Sequence, residues 1–127
     1  FFTMEVAELC MRAAQHGYRS VINPLAHATH ALEARPSQLR KTLYAYYIIR
    51  NRFLMIRDLT PQPLPGFYMI WTLYSAALTL KLCLTGERQA AQAVWLGLRD
   101  GLLGRFGGQN DRVITRCIAE GSAKRKE

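Results

Sequence analysis

Between Pro36 and Pro61 the chain runs from Ser37 to Leu59 without a glycine or a proline, and its apolar residues recur at helical spacing. That stretch limits the fold more than any other. It reads as one long helix, with Pro36 marking its start and Pro61 its stop. From Leu43 to Ile56 it is apolar on almost every side, interrupted by Arg50, Asn51 and Arg52. A helix apolar all round is buried between other elements or lies in lipid.

Everything after this helix keeps the same character. The run TPQPLPG, residues 60–66, is a proline-rich linker and the clearest internal boundary. Phe67 to Leu80 then carries no charge before Lys81, and Leu82-Cys83-Leu84 follows. A bilayer span needs about 20 apolar residues. This run is shorter before its lysine, so interfacial seating or a buried core helix fits as well as a span. After Gly86 a further helix is predicted from Glu87 to about Phe106. One of its faces carries Ala90, Ala93, Gly97, Gly101 and Gly104, a small-residue stripe that lets another helix backbone approach.

The opening third is different. Val6, Leu9, Cys10 and Ala13 predict a helix over Glu5–His16, with Thr3 as N-cap and Gly17 as its left-handed stop. Tyr18–Ile22 reads as a short strand, Asn23-Pro24 as a turn, and Ala26–His30 as a second extended piece. The expected fold class is therefore mainly α, a short α/β remnant followed by three C-terminal helices. Residues 1–35 form the remnant, 36–120 the helical region, and 121–127 a polar, disordered tail. The chain opens on Phe-Phe-Thr-Met-Glu, already patterned, and is read as a piece of a longer protein.

Seventeen lysines and arginines against nine acids give a formal net charge of +8. That excess favours an anionic partner: nucleic acid, a phospholipid surface or a phosphate-bearing substrate. Nucleic acid is the weakest of these, because the arginines are dispersed through apolar helices and not gathered on one solvated face. Cys10, Cys83 and Cys117 are far apart and odd in number, with no C-x-x-C pair. Neither a disulfide scaffold nor a zinc ribbon is expected, and a reducing compartment is.

Several side chains carry two readings each. Glu5 and Glu8, three apart, share one side of the opening helix near its positive end. They either stabilise that end or work as acid and base. His27 and His30 on a strand would face opposite sides and could not easily share a metal. The cluster Arg50-Asn51-Arg52 either forms a polar break, with arginine paired to a buried acid, or contacts the phosphate of a lipid-linked acceptor, Arg50 and Asn51 being the candidate contacts. Asp100 and Arg105 read as a helix-surface pair, with catalytic groups as the other use. Tyr44, Tyr46 and Tyr47 read as core, with sugar stacking or a lipid interface as the other use.

Taken together, residues 1–30 resemble the acceptor-side motif of bacterial family-2 glycosyltransferases. Phe2, Glu5, Glu8, Leu9, Cys10, Arg12, Gly17, Tyr18, Pro24, Ala26 and His30 fall into step with it. YAYYIIRNRF, residues 44–53, resembles the family's tyrosine-rich helix ending in Arg-Asn. GLRDGLLGRFGG, residues 97–108, resembles its Gly-x-x-Asp-Gly-x-x-Gly-Arg run.

The resemblance implies a GT-A, rhamnosyltransferase-like enzyme of surface polysaccharide synthesis. Such an enzyme moves a sugar from a nucleotide-sugar to a glycan or lipid-linked acceptor. It would be peripheral to the cytoplasmic face of the bacterial inner membrane, with no nucleic-acid partner. The resemblance makes Glu5 the general base, Glu8 its supporting carboxylate, and His30 the ligand of a divalent metal, Mg or Mn. Two departures are visible. Val6 stands where the family carries its usual base, and nothing resembles the nucleotide-binding half with its Asp-x-Asp motif. The fragment alone is expected to be inactive. The alternative reading is a non-catalytic membrane- or partner-binding helical module.

Overall fold

The computed structural model describes residues 4–29, 37–60, 62 and 64–119. Its described elements are helices: α1 (Glu5–Gln15), α2 (Gln38–Leu59), α3 (Pro65–Leu84), α4 (Arg88–Leu102) and α5 (Asn110–Ile114), the last running into a π-helical turn, Thr115–Ala119. The mainly α expectation holds. The helix count after residue 36 rises from three by the short α5 and its π turn.

The long helix forms where Ser37 caps it, its hydroxyl accepting from the Arg40 N–H at 3.2 Å. Gly17 has φ 82°, and the Tyr18 N–H donates to the Ala13 carbonyl at 3.0 Å, closing α1 as expected. The proposed cap of α1, Thr3, lies outside the described residues. Met4 stands at that position with φ 69°. The same device ends α4 four residues earlier than expected. Gly104 takes φ 65°, and the Arg105 N–H donates to the Asp100 carbonyl at 2.8 Å, so the chain turns before Phe106.

The two expected strands are not found among the described residues. Residues 18–29 are irregular and exposed, with Val21 and Ile22 at 87% and 93% exposure. A strand needs a neighbour to take its N–H and C=O groups. Here only the Asn23 turn forms: its side chain accepts from the Leu25 N–H at 3.0 Å.

Packing centres on α2 and α4, which lie against each other along most of α4; α3 runs beside α4, and α5 closes on α2. The small-residue stripe meets its neighbours at Gly97 and Gly101, while Gly104 lies past the end of α4 and is exposed. A Cβ added at Gly97 would sit 2.5 Å from the Tyr46 carbonyl oxygen, and one at Gly101 would enter the Phe53 ring. The helix backbones therefore touch at Gly97, while Gly101 makes room for the Phe53 ring.

Two apolar clusters result. Leu43, Tyr46, Tyr47, Ala93, Leu96, Val113 and Cys117 join α2, α4 and the C-terminal turn. Ile49, Phe53, Val94 and Leu98 gather the inner side of α3, including Phe67, Trp71 and Leu82. Each buried Leu, Ile, Val or Phe side chain among them contributes about 1.5–3 kcal/mol.

Helix α1 is attached more lightly. It buries no residue, and one of its ties is the Gln15 amide, which donates to the Leu59 carbonyl at 2.6 Å. Helix α3 is the one helix among the described residues long and apolar enough to cross a membrane. Ser75 is its single buried residue, and Met69, Ile70, Leu73 and Leu80 are each at least 60% exposed.

Candidate functional site

Three groups of polar and aromatic side chains stand out, and the α2–α4 joint holds the most buried of them. Asp100 is fully buried, and its Oδ2 accepts from the Tyr46 phenol at 2.8 Å and from Arg112 Nη1 at 2.7 Å. Burial, followed by the hydrogen bond to Asp100, drives the Tyr46 phenol above its ordinary value near 10, against a smaller opposing pull from Arg50. The phenol therefore stays protonated and donates. The expected surface pair of Asp100 and Arg105 is thus replaced by a buried one, with Arg112 as the partner. Asp100 shares the small-residue face of α4, and that face is pressed onto α2.

Tyr46 gives a pH prediction. A folded-state phenol with a raised pKa keeps its proton where the unfolded chain, with a pKa of about 10, has lost it. Its contribution is complete below about pH 10 and declines as pH rises beyond that. Urea denaturation at about pH 9 and about pH 11 should show a steeper loss of stability than in Tyr46→Phe, which lacks the phenol. Identical pH slopes would reject the assignment.

Arg50 is equally enclosed. It donates through Nη1 to the Gly107 carbonyl at 2.7 Å, and through Nε and Nη2 to Asn51 Oδ1 at 3.1 and 2.9 Å. Its guanidinium carbon lies 4.6 Å from the Tyr47 ring centroid and 5.3 Å from that of Tyr46. Arg50 and Asn51, expected as acceptor or phosphate contacts, are 4% and 1% exposed. The arginine is engaged within the chain, and its partners are a carbonyl, an amide and the rings of Tyr46, Tyr47 and Phe106 in place of the expected buried acid. Tyr47 donates to Asn110 Oδ1 at 2.7 Å and accepts from the Gln109 N–H at 3.0 Å, fixing the start of α5. Tyr44 is half exposed.

The second group is on α1. Glu5 is exposed, and Glu8, with a side chain 14% exposed, pairs with Arg12 one turn on at 3.2 Å. His30, the expected metal ligand, lies outside the described residues; His27 is exposed. Among the described residues no three His, Cys, Asp or Glu side chains come together in a group able to hold a metal ion.

The third group was not anticipated. On the inner rim of α3, Trp71 stacks on Phe67 at 6.4 Å and on Tyr74 at 4.8 Å, with interplanar angles of 13° and 18°. The Trp71 indole N–H donates to the Ile49 carbonyl at 3.2 Å. The Arg52 guanidinium lies over the same ring, 4.2 Å from its centroid. Positions 67, 71 and 74 share one side of a helix, a spacing legible in the sequence. The approach of Arg52 is a product of helix packing.

No family model, curated protein or solved structure matches the chain.

Proposed function

We propose that the chain is the acceptor-side end and C-terminal helical region of a family-2 glycosyltransferase. That enzyme passes a sugar from a nucleotide-sugar to a glycan or lipid-linked acceptor at the cytoplasmic face of a bacterial membrane. One observation supports the reading above others. The two C-terminal runs that carry the resemblance, residues 44–53 and 97–108, are distant in sequence and form one packed joint. Tyr46 bonds Asp100, Arg50 bonds Gly107, and Gly97 lies against Tyr46. A pattern whose separated members interlock is what a shared fold requires.

Within this reading Glu5 takes the acceptor hydroxyl's proton, being exposed and without an ion-pair partner among the described residues. Glu8, already paired with Arg12, is the poorer base and orients the site. A divalent metal would neutralise the leaving diphosphate. His30, the residue that the resemblance assigns to it, lies outside the described residues. In the full-length enzyme, Glu5→Gln should lower transfer of labelled sugar by about a hundredfold or more and leave nucleotide-sugar binding unchanged. Near-normal turnover would place the base elsewhere.

Membrane seating is the other half of the reading. Helix α4 lies along α3 and exposes Arg88, Gln92, Trp95 and Arg99. A spanning α3 would drag those guanidiniums into hydrocarbon, at a cost of about 2.5–3.5 kcal/mol or more each. Seating α3 in the interface leaves them wet. The alternative, a non-catalytic membrane-binding module, is favoured by Val6, an exposed valine where the resembled family carries its base. Membrane binding by a full-length protein that never transfers sugar would support that alternative.

A further inference from the structure

We propose that Arg52, with the aromatic ladder Phe67–Trp71–Tyr74, forms a seat for the phosphate of a membrane lipid. The inference deepens the membrane half of the reading above and does not depend on the transferase half.

Three arginines near the helix joint are committed. Arg50 is engaged by Gly107 and Asn51, Arg57 pairs with Asp58 at 2.7 Å, and Arg112 pairs with Asp100. Among the described residues Arg52 has no carboxylate partner, and its buried Nε has no acceptor. No acid occurs between Asp58 and Glu87, the whole stretch that forms α3. A guanidinium held on an indole face, partly out of water, thus carries charge that no carboxylate among the described residues pairs with. Phosphate suits it, because the planar fork gives two parallel N–H donors to two phosphate oxygens.

The surroundings point to a lipid phosphate. Tyr74 ends the stack half exposed, and beyond it Ile70, Leu73 and Leu80 make an apolar surface where acyl chains can lie. Aromatic rings with one apolar and one polar side settle at the depth where headgroups meet hydrocarbon. Arg52 would then meet the headgroup phosphate while the outer face of α3 meets the chains.

The test is vesicle flotation, with Trp71 emission read in a Trp95→Phe background that leaves Trp71 as the single tryptophan. Phosphatidylcholine vesicles with and without phosphatidylglycerol are compared at matched salt. Anionic vesicles should bind more tightly and shift Trp71 emission to the blue. Arg52→Gln should weaken binding to them about tenfold, the loss of one charge-assisted fork. Arg57→Gln, the same charge removed from the same helix, should change it by less than about twofold. Arg52→Lys, which keeps the charge and loses the fork, should fall between and serves as the test should the glutamine variant fail to fold. Equal losses in Arg52→Gln and Arg57→Gln, or Arg52→Lys indistinguishable from the parent chain, would overturn the proposal. So would inorganic phosphate alone reproducing the Trp71 shift, which would mark a free-anion site. Since flotation needs no sugar, its failure is separable from failure of the transferase reading.

Discussion

Asp100→Ala is expected to cost about 3–5 kcal/mol of folding free energy, the range for breaking one side of a buried ion pair. The stability of a single domain is about 5–15 kcal/mol in all, so this change consumes much of it. The reason is what the alanine leaves behind. Asp100 is fully buried and its Oδ2 serves both the Tyr46 phenol and Arg112. Without it a phenol and a guanidinium are stranded between α2, α4 and α5. The Arg112 side chain is 26% exposed, so water recovers part of the loss and the lower end of the range applies. Asp100→Asn keeps the shape and one acceptor, and should lose less. Urea unfolding followed by circular dichroism reads all three chains. A change below about 0.5 kcal/mol in the alanine variant, the size of an ordinary surface substitution, would show that this contact does not hold the helices together.

Gly97→Ala should destabilise by about 1–3 kcal/mol although alanine is the better helix former by about 1 kcal/mol. The added Cβ would lie 2.5 Å from the Tyr46 carbonyl oxygen and 3.3 Å from the Ile49 Cβ. A helix carbonyl cannot swing aside as a side chain can, so α2 and α4 must separate. Gly66→Ala supplies the contrast, since a Cβ there meets nothing within 4 Å. It should be neutral or slightly stabilising. Thermal melting of the two variants should therefore move in opposite directions or differ by several degrees, at about 3–5 °C per kcal/mol for a chain of this size. Parallel shifts would mean that Gly97 is not a close-packing point.

Much of the architecture was legible in residue order alone. The absence of glycine and proline between Ser37 and Leu59 determined α2, and the uncharged run after the proline linker determined α3. Gly17 marked the end of α1, and the stripe through Ala93, Gly97 and Gly101 marked the face of α4 that takes a neighbour. These are local or periodic signals, carried by single backbone preferences and by the 3.6-residue repeat.

The fate of polar residues was not legible, because it depends on which helix arrives opposite. Asp100 and Arg105 are neighbours in sequence, and only the contact of α2 with α4 turned Asp100 inward to Tyr46 and made Arg112 its partner. The same holds for the run Arg50-Asn51-Arg52. Sequence shows three polar residues on an apolar helix and cannot rank them. Packing buries the first two against Gly107 and each other, and leaves the third on Trp71 with no carboxylate partner among the described residues. The strands expected at 18–22 and 26–30 mark the same boundary: alternation sets which side chains face which way, but a strand exists only where another chain segment accepts its backbone hydrogen bonds.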